Sequence, residues 1–104
     1  MDIEHAVYGY KFKWNHQKAE ANLRKHEVSF KEACEVFFDP FYLLEDAGRK
    51  DEDRCALTGY SENGRLLYVV SVEKDEDVWR IVSARKATKS ERKRYEERDD
   101  FIRG

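Results

Sequence analysis

The sequence has few of the residues that mark a disulfide-rich, metal-binding or membrane protein. Its two cysteines, Cys34 and Cys55, are too few for a disulfide framework, and neither stands at a metal-ligand spacing. The three histidines and the cysteines form no close pair typical of zinc, and no glycine-rich loop suggests a nucleotide, so we expect no metal and no cofactor. No apolar run approaches the length of a membrane span or a signal-peptide core, which predicts a cytoplasmic protein without membrane contact.

The chain also lacks a large charge of either sign. A net charge of -2 gives no overall attraction to nucleic acid, so any such binding must depend on local clusters. Residues 11–26 carry five Lys or Arg and one acid, and residues 85–98 carry seven and three, whereas residues 39–53 carry six acids and two bases. Such runs are often no more than solvated faces.

The length and the aromatic content indicate one folded domain. The chain has 104 residues, and its 40% hydrophobic content includes six Phe, six Tyr and two Trp. These can fill a core even though 40% of the residues are charged. Residues 1–10 show no clear periodicity and are interpreted as an N-terminal extension, and residues 11–104 as the single domain.

Hydrophobic periodicity predicts a short strand and then a helix in the first part of the domain. The segment "YKFKW" (10–14) alternates aromatic residues with Lys, which predicts a strand with its aromatic side chains on one face. Asn15 is predicted to cap the helix. The predicted core-facing stripe of this helix is Ala19, Leu23 and His26. A parallel polar stripe consists of Lys18, Asn22 and Lys25.

The stretch "NLRKHEVSF" (22–30) predicts the end of that helix, a tight turn and the start of a second helix. Ser29 and Glu32 form a capping box, in which the Ser29 hydroxyl accepts from the Glu32 amide and the Glu32 carboxylate accepts from the Ser29 amide. The second helix ends at Asp39 and Pro40, because a residue before proline avoids helical angles.

After Pro40 the period changes to that of strands. The hairpin signal Asn63–Gly64 separates two of the four predicted strands, because both residues tolerate a positive φ. The predicted strands are "FYLLE" (41–45), "RCALTGY" (54–60), "RLLYVVSVE" (65–73) and "VWRIVSARKA" (78–87). Strict alternation along the last strand would place Arg80 and Arg85 on opposite faces, unless a bulge intervenes.

A second capping box, Thr88 to Glu91, opens a charged final helix. Its apolar stripe consists of little beyond Tyr95 and Phe101 or Ile102. We therefore expect the helix either to pack weakly on the domain or to bind a partner protein. The order of elements predicts an α+β domain: a short N-terminal strand, two helices, a largely antiparallel four-stranded sheet and the charged helix.

Positively charged side chains on or beside the predicted strands are the main chemical signal. They are Arg54, Arg65, Arg80, Arg85 and Lys86. Cleavage of RNA without a metal needs a base for the 2′ hydroxyl, an acid for the departing 5′ oxygen and fixed cations around the phosphoryl group. His suits either proton role near pH 7, and Arg binds phosphate oxygens in bidentate fashion. An Arg at a strand end is more often structural or solvated than functional, and a lone histidine on an apolar stripe is more often a core residue than a catalyst.

An ordered series of motifs resembles the BrnT family, toxins of type II toxin-antitoxin systems. The motifs are "FKWNHQKAEANLRKHEVSF", "FFDP", "LTGYSENGRLLYVV" and "WRIVSARKATKSERKRYEE". The resemblance implies a fold similar to RelE-like ribonucleases and RNA cleavage that arrests translation and growth. It also implies neutralisation by a BrnA-like ribbon-helix-helix antitoxin, with operator DNA bound only through the complex. A homodimer is left open.

The resemblance assigns candidate roles to the polar motif positions. His26 is the candidate for proton transfer, with Lys25 as its alternate. Arg65 and Arg85 would stabilise the phosphoryl transition state. The candidates for holding the RNA backbone are Lys18, Arg80 and Lys86. Two other hypotheses remain: a module that binds a protein partner without catalysis, and an RNA-binding domain that forms no products.

Overall fold

A computed structural model describes residues 1–48, 53–75 and 77–103. Within these ranges the chain forms one six-stranded mixed sheet and three α-helices. The strands are Asp2–Val7 (β1), Tyr10–Asn15 (β2), Leu43–Asp46 (β3), Arg54–Tyr60 (β4), Leu66–Asp75 (β5) and Val78–Lys86 (β6). The helices are His16–His26 (α1), Phe30–Glu35 (α2) and Lys89–Arg103 (α3), and a 3₁₀ turn at Val36–Phe38 follows α2. No helix in the described ranges is long and apolar enough to cross a membrane.

The predicted α+β class is confirmed, but the predicted number of strands in the sheet is wrong. The strand order is β1-β2-β6-β5-β4-β3, so the four predicted strands are extended by two more beside β6. The pairing of β2 with β6 is parallel, and the other neighbours are antiparallel. The aromatic face of β2 explains this extension, because Phe12 and Trp14 become buried when β2 joins the sheet.

Residues 2–7, which show no clear sequence period, form the edge strand β1. The strand pairs antiparallel with β2 through a two-residue turn at Tyr8 and Gly9, whose φ angles are 49° and 85°. Two positive φ angles are typical of a type I′ hairpin turn, which Gly favours and Tyr does not. A role for residues 1–10 that is separate from the domain stays a prediction.

Aromatic side chains fill the core between the sheet and the first two helices, as predicted. Trp14 lies edge-on to Phe30 with ring centroids 6.0 Å apart, and Phe37 lies 4.9 Å from Phe12 and 5.3 Å from Trp79. Burying an aromatic or large aliphatic side chain contributes roughly 1.5–3 kcal/mol, so these rings anchor α2 to the sheet. Cys34 is buried among them, which raises the pKa of its thiol to about 12 and makes it a small apolar residue.

The predicted cap of α1 is confirmed, but its predicted buried stripe is wrong at Leu23, although Ala19 of the same stripe packs against the core. The Asn15 Oδ1 accepts from the Lys18 amide at 3.0 Å. Leu23 remains 49% exposed, whereas Asn22 is only 8% exposed. The Asn22 side chain donates to the Val28 carbonyl at 3.0 Å and to the Ala84 carbonyl at 2.8 Å, and accepts from the Ala84 amide at 3.2 Å. A polar side chain with all these partners can be buried at little cost.

A bulge in β6 corrects the predicted directions of its arginines. Val70 pairs with Ser83 and Ser71 pairs with Ile81, so Val82 is the extra residue. Beyond it, Arg80 lies opposite residue 72 of β5 and Arg85 lies opposite residue 68. Positions four apart on one strand share a face, so both arginines lie on the same side of the sheet. The predicted placement on opposite faces is therefore wrong.

The two sides of the sheet differ in what covers them. The helix face is the side that α1 and α2 cover, and it buries Leu67, Ile81 and Ala84. The outer face is the opposite side, and it carries Arg80 and Arg85. The final helix α3 packs across the β4 part of the outer face.

Tyr95 makes two of the contacts that dock α3 on the outer face. Tyr95 stacks edge-on against Tyr60 with ring centroids 5.4 Å apart and donates to the Asp39 carboxylate at 2.6 Å. The predicted capping box is confirmed, because the Thr88 hydroxyl accepts from the Glu91 amide at 3.2 Å and Glu91 accepts from the Thr88 amide at 2.9 Å. The predicted apolar positions 101 and 102 lie outside the residues whose side chains are described.

Candidate functional site

The turn between α1 and α2 places two of the candidate residues at a helix end. Glu27 ends α1 with a left-handed φ of 59°, and its amide donates to the Leu23 carbonyl at 2.9 Å. Just before it, Lys25 is exposed and His26 is half-buried. Positive side chains are favourable at a helix C-terminus, where the last carbonyls concentrate negative partial charge. The turn therefore presents a histidine and a lysine together at the surface.

Arg65 reaches this turn from the hairpin before β5. Its Nη2 donates to the Glu27 carbonyl at 2.9 Å, which places the guanidinium next to the residue after His26. Its Nε donates to the Glu32 carboxylate at 2.9 Å, and its Nη2 also contacts the second Glu32 oxygen. Among the described residues no acceptor lies on Nη1, so two N–H groups of Arg65 remain for a ligand.

Glu32 fixes Arg65 and corrects one predicted hydrogen bond. The Ser29 hydroxyl accepts from the Glu32 amide at 3.1 Å, as predicted. The Glu32 carboxylate accepts from Arg65 and from the Ser61 hydroxyl, at 2.8 Å for the latter, and not from the Ser29 amide. The hydrogen bond from Arg65 lowers the pKa of Glu32 in spite of partial burial, so Glu32 stays ionised at neutral pH.

Two further candidate lysines lie on the same side of the sheet as the α1–α2 turn. Lys86 ends β6 opposite Leu67, on the helix face, and its side chain is exposed. The Ala87 amide after it donates to the carbonyl of Leu66, the residue that follows Arg65. Lys18 lies in the first turn of α1 and is also exposed, about 10 Å along the helix from Lys25.

Arg85 is held on the outer face by an ion pair and an aromatic ring. Its Nη1 and Nη2 donate to the two Glu91 oxygens at 2.8 and 2.9 Å, and its guanidinium carbon lies 4.4 Å from the centre of the Tyr68 ring. Burial acts to raise the pKa of Glu91, but the hydrogen bonds from Arg85 and Thr88 outweigh it and lower that pKa. The hydrogen bonds to Glu91 in turn raise the pKa of Arg85.

The candidate residues therefore lie on two opposite surfaces of the sheet. Five of them lie on the side of the helices: Lys18, Lys25, His26, Arg65 and Lys86. Arg80 and Arg85 lie on the outer face, so the sheet separates them from His26. Arg85 lies on the outer face because of the bulge at Val82. The extra residue reverses the faces to which the side chains after it point, relative to strict alternation.

Sequence reasoning missed the structural role of Asp39. Its carboxylate accepts from the amides of Phe41 and Tyr60, each at 2.8 Å, and from the Tyr95 hydroxyl. A Cβ at Gly59 would lie 2.9 Å from a Val36 methyl group and 3.2 Å from the Asp39 carboxylate, so this close approach requires glycine. The dipeptide "DP" indicated a helix end and gave no sign of these distant partners.

The contribution of the Arg85–Glu91 ion pair to the free energy of unfolding should depend on pH. We expect Glu91→Gln to lower the free energy of unfolding by about 1–3 kcal/mol at pH 7, because it removes a charge-assisted, part-buried hydrogen-bond pair. The pKa of Glu91 is lower in the folded protein than its ordinary value near 4.5, so the ionised pair stabilises the fold at pH values above 4.5. This stabilisation is lost as the pH falls through the pKa that Glu91 has in the folded protein. The difference between the two proteins in urea unfolding should therefore vanish in acid. Exposed Glu96→Gln is the control, and an equal effect of both variants would contradict the assignment.

Within the described part of the chain, no three His, Cys, Asp or Glu side chains are placed to hold a metal ion together. Comparison with known proteins decides the family. The family model of the ribonuclease toxin BrnT of type II toxin-antitoxin systems matches residues 14–91. The chain belongs to the BrnT family. No curated protein sequence matches it significantly.

The BrnT fold is also found in a solved structure. The 1.1 Å crystal structure of the Brucella abortus ribonuclease toxin BrnT is similar to this chain, with a TM-score of 0.60 and 19% sequence identity. The similar region covers 73% of this chain and 94% of the Brucella chain. At this identity the likeness establishes the fold alone. Membership of the BrnT family implies an RNA substrate and an antitoxin partner, and it leaves β1 outside the matched residues.

Proposed function

We propose that this chain is an endoribonuclease that cleaves RNA without a metal ion and thereby inhibits translation and growth. One observation supports this proposal beyond family membership. Arg65 donates to the carbonyl of Glu27, directly after Lys25 and His26, and keeps two N–H groups on Nη1 without an acceptor among the described residues. A guanidinium, which is suited to binding phosphate, is thus held at the residue that follows two candidate proton-transfer groups.

The proposed reaction begins with removal of the proton from a 2′ hydroxyl by His26. The 2′ oxygen then forms a bond to phosphorus as the bond to the 5′ oxygen breaks. The 5′ oxygen takes a proton from the Lys25 ammonium or from water, and the products are a 2′,3′-cyclic phosphate and a 5′ hydroxyl. Arg65 stabilises the extra negative charge on the phosphoryl oxygens in the transition state. Lys25 is the alternate group for either proton role.

The remaining candidates bind the RNA on either side of the reacting phosphate. Lys18 and Lys86 are exposed on the side of the turn and would hold neighbouring phosphates. Arg80 and Arg85 lie on the outer face and would contact RNA farther along the strand. We therefore propose that Arg85 binds the RNA backbone and does not stabilise the transition state.

The partner in the proposal is a BrnA-like ribbon-helix-helix antitoxin. It would neutralise the toxin, and operator DNA would bind through the complex. The net charge of -2 favours this arrangement, because the toxin alone has no overall attraction to duplex DNA. We also propose that the fold is similar to that of RelE-like ribonucleases.

The test is cleavage of a labelled RNA by the purified chain in the presence of a chelator. We expect products ending in 2′,3′-cyclic phosphate, and no cleavage of the same sequence when every 2′ hydroxyl is methylated. Cleavage that starts only after metal is added would overturn the metal-free mechanism. Salt-dependent binding without products would instead favour an RNA-binding domain without catalysis.

A further inference from the structure

Four basic residues of β2 and β6 meet on the outer face. The parallel register places Lys13 directly beside Arg80, and Lys11 lies two residues earlier on the same side of β2. The bulge at Val82 adds Arg85 to this side, opposite residue 68 of β5, whereas Arg80 lies opposite residue 72. The two arginines are therefore about 13 Å apart along the strand. They form a line of cations across one open surface.

The edge strand β1 lays two carboxylates on this line. Asp2 accepts from the two terminal nitrogens of Arg80 at 2.7 and 3.5 Å, and Glu4 lies 4.0 Å from the Lys13 ammonium. The hydrogen bond from Arg80 lowers the pKa of Asp2, so this carboxylate is anionic at neutral pH. All four side chains are between 31% and 59% exposed, and ion pairs at such positions contribute little stability. A phosphate group of RNA could therefore displace the two carboxylates from the cations.

We propose that the outer face of β2 and β6 binds the phosphates of single-stranded RNA, and that Asp2 and Glu4 compete with RNA for the same cations. The proposal rests on RNA being the substrate, and it adds a second surface to the cleavage site at the α1–α2 turn. The family match begins at residue 14, so Asp2 and Glu4 lie outside the matched residues.

The end of β6 connects the two surfaces. Arg85 points to the outer face and its neighbour Lys86 points to the helix face, opposite Leu67. Arg65 directly precedes β5, which pairs with this end of β6 through Leu67 and Lys86, and the Ala87 amide donates to the Leu66 carbonyl. An RNA strand bound along Arg80 and Arg85 can thus turn around the end of the sheet at Lys86 and reach Arg65. Bound RNA would then extend over both faces.

Binding of a 2′-O-methyl RNA oligonucleotide tests the proposal, because this ligand cannot be cleaved. We expect Lys13→Gln and Arg80→Gln each to weaken binding about fivefold to tenfold at about 50 mM salt, and to lower the salt slope by about 0.7. The control Lys31→Gln removes the same charge from an exposed position on α2 and should bind as the wild type does. Fluorescence anisotropy measures all four proteins.

Neutralising the acids of β1 should have the opposite effect. We expect the double variant Asp2→Asn, Glu4→Gln to bind several-fold more tightly than the wild type. A second double variant, Glu35→Gln, Glu62→Gln, makes the same charge change on the other side of the molecule and should bind less tightly than the first. Equal affinities of the two double variants, or of Lys13→Gln and Lys31→Gln, would overturn the proposal. Cleavage of unmodified RNA is measured separately, so loss of this surface and loss of the ribonuclease activity are distinguishable.

Discussion

His26→Ala is expected to slow RNA cleavage by about 100-fold or more, because a positioned acid or base contributes about 10²–10⁴-fold to proton transfer. The imidazole is half-buried at the end of α1, one residue before the carbonyl that holds Arg65. Removing it leaves Arg65 in place to bind the phosphate, so RNA affinity should change little. Rates are measured under single-turnover conditions with labelled RNA in chelator, so that binding and chemistry are separated.

His16→Ala is the matched control for this prediction. His16 lies at the other end of the same helix, exposed and paired with Glu20 one turn later, away from Arg65. Its replacement should leave the rate near that of the wild type. If the two histidine variants cleave equally fast, His26 carries no proton, and Lys25→Ala becomes the variant that tests the alternate group. Equal activity of all three variants would remove the turn from the mechanism.

Asn22→Ala is expected to lower the free energy of unfolding by about 3 kcal/mol, because it leaves buried backbone groups without partners. Its amide bonds the Val28 carbonyl and both the carbonyl and the amide of Ala84. These bonds connect α1, the turn after His26 and β6 at a single point. Urea unfolding of the purified variants measures the change.

Leu23→Ala provides the comparison for Asn22. Leu23 is the neighbouring residue and its replacement removes the same number of non-hydrogen atoms, three, all of them apolar. It is about half exposed, so this replacement should cost less than about 1 kcal/mol. Judged by hydrophobicity alone, the order would be the reverse. A larger loss from Leu23→Ala than from Asn22→Ala would show that the amide bonds do not hold α1 to the sheet.

The local pattern of the sequence was sufficient for most helices and strands and for their caps. Asn15, Ser29 and Thr88 cap helices as predicted, because a cap involves residues only three positions apart. The hairpin at Asn63–Gly64 forms for the same reason, with Gly64 at a φ of 81°. Local signals were insufficient for β1, whose pairing with β2 no period along residues 2–7 indicated.

The candidate site was less predictable because it depends on partners far apart in the sequence. The chemistry of the cations was evident from residue type, but Glu32 as the partner of Arg65 and Glu91 as the partner of Arg85 required the folded chain. The bulge at Val82 has no sequence signature comparable to an Asn-Gly turn, and it determines the face on which Arg85 lies. The pattern places Asn22 in the polar stripe of α1, and it does not predict the burial of Asn22 because the two acceptors lie six and 62 residues away.

The parallel pairing of β2 with β6 has a consequence for synthesis of the protein. Lys13 meets Arg80 only after some four-fifths of the polypeptide has been translated. Contacts this distant in sequence form slowly and late. A growing chain on the ribosome therefore has no assembled sheet centre until β6 emerges. A partner that acts on the nascent chain would meet the β1–β2 hairpin before the toxin has acquired its final shape.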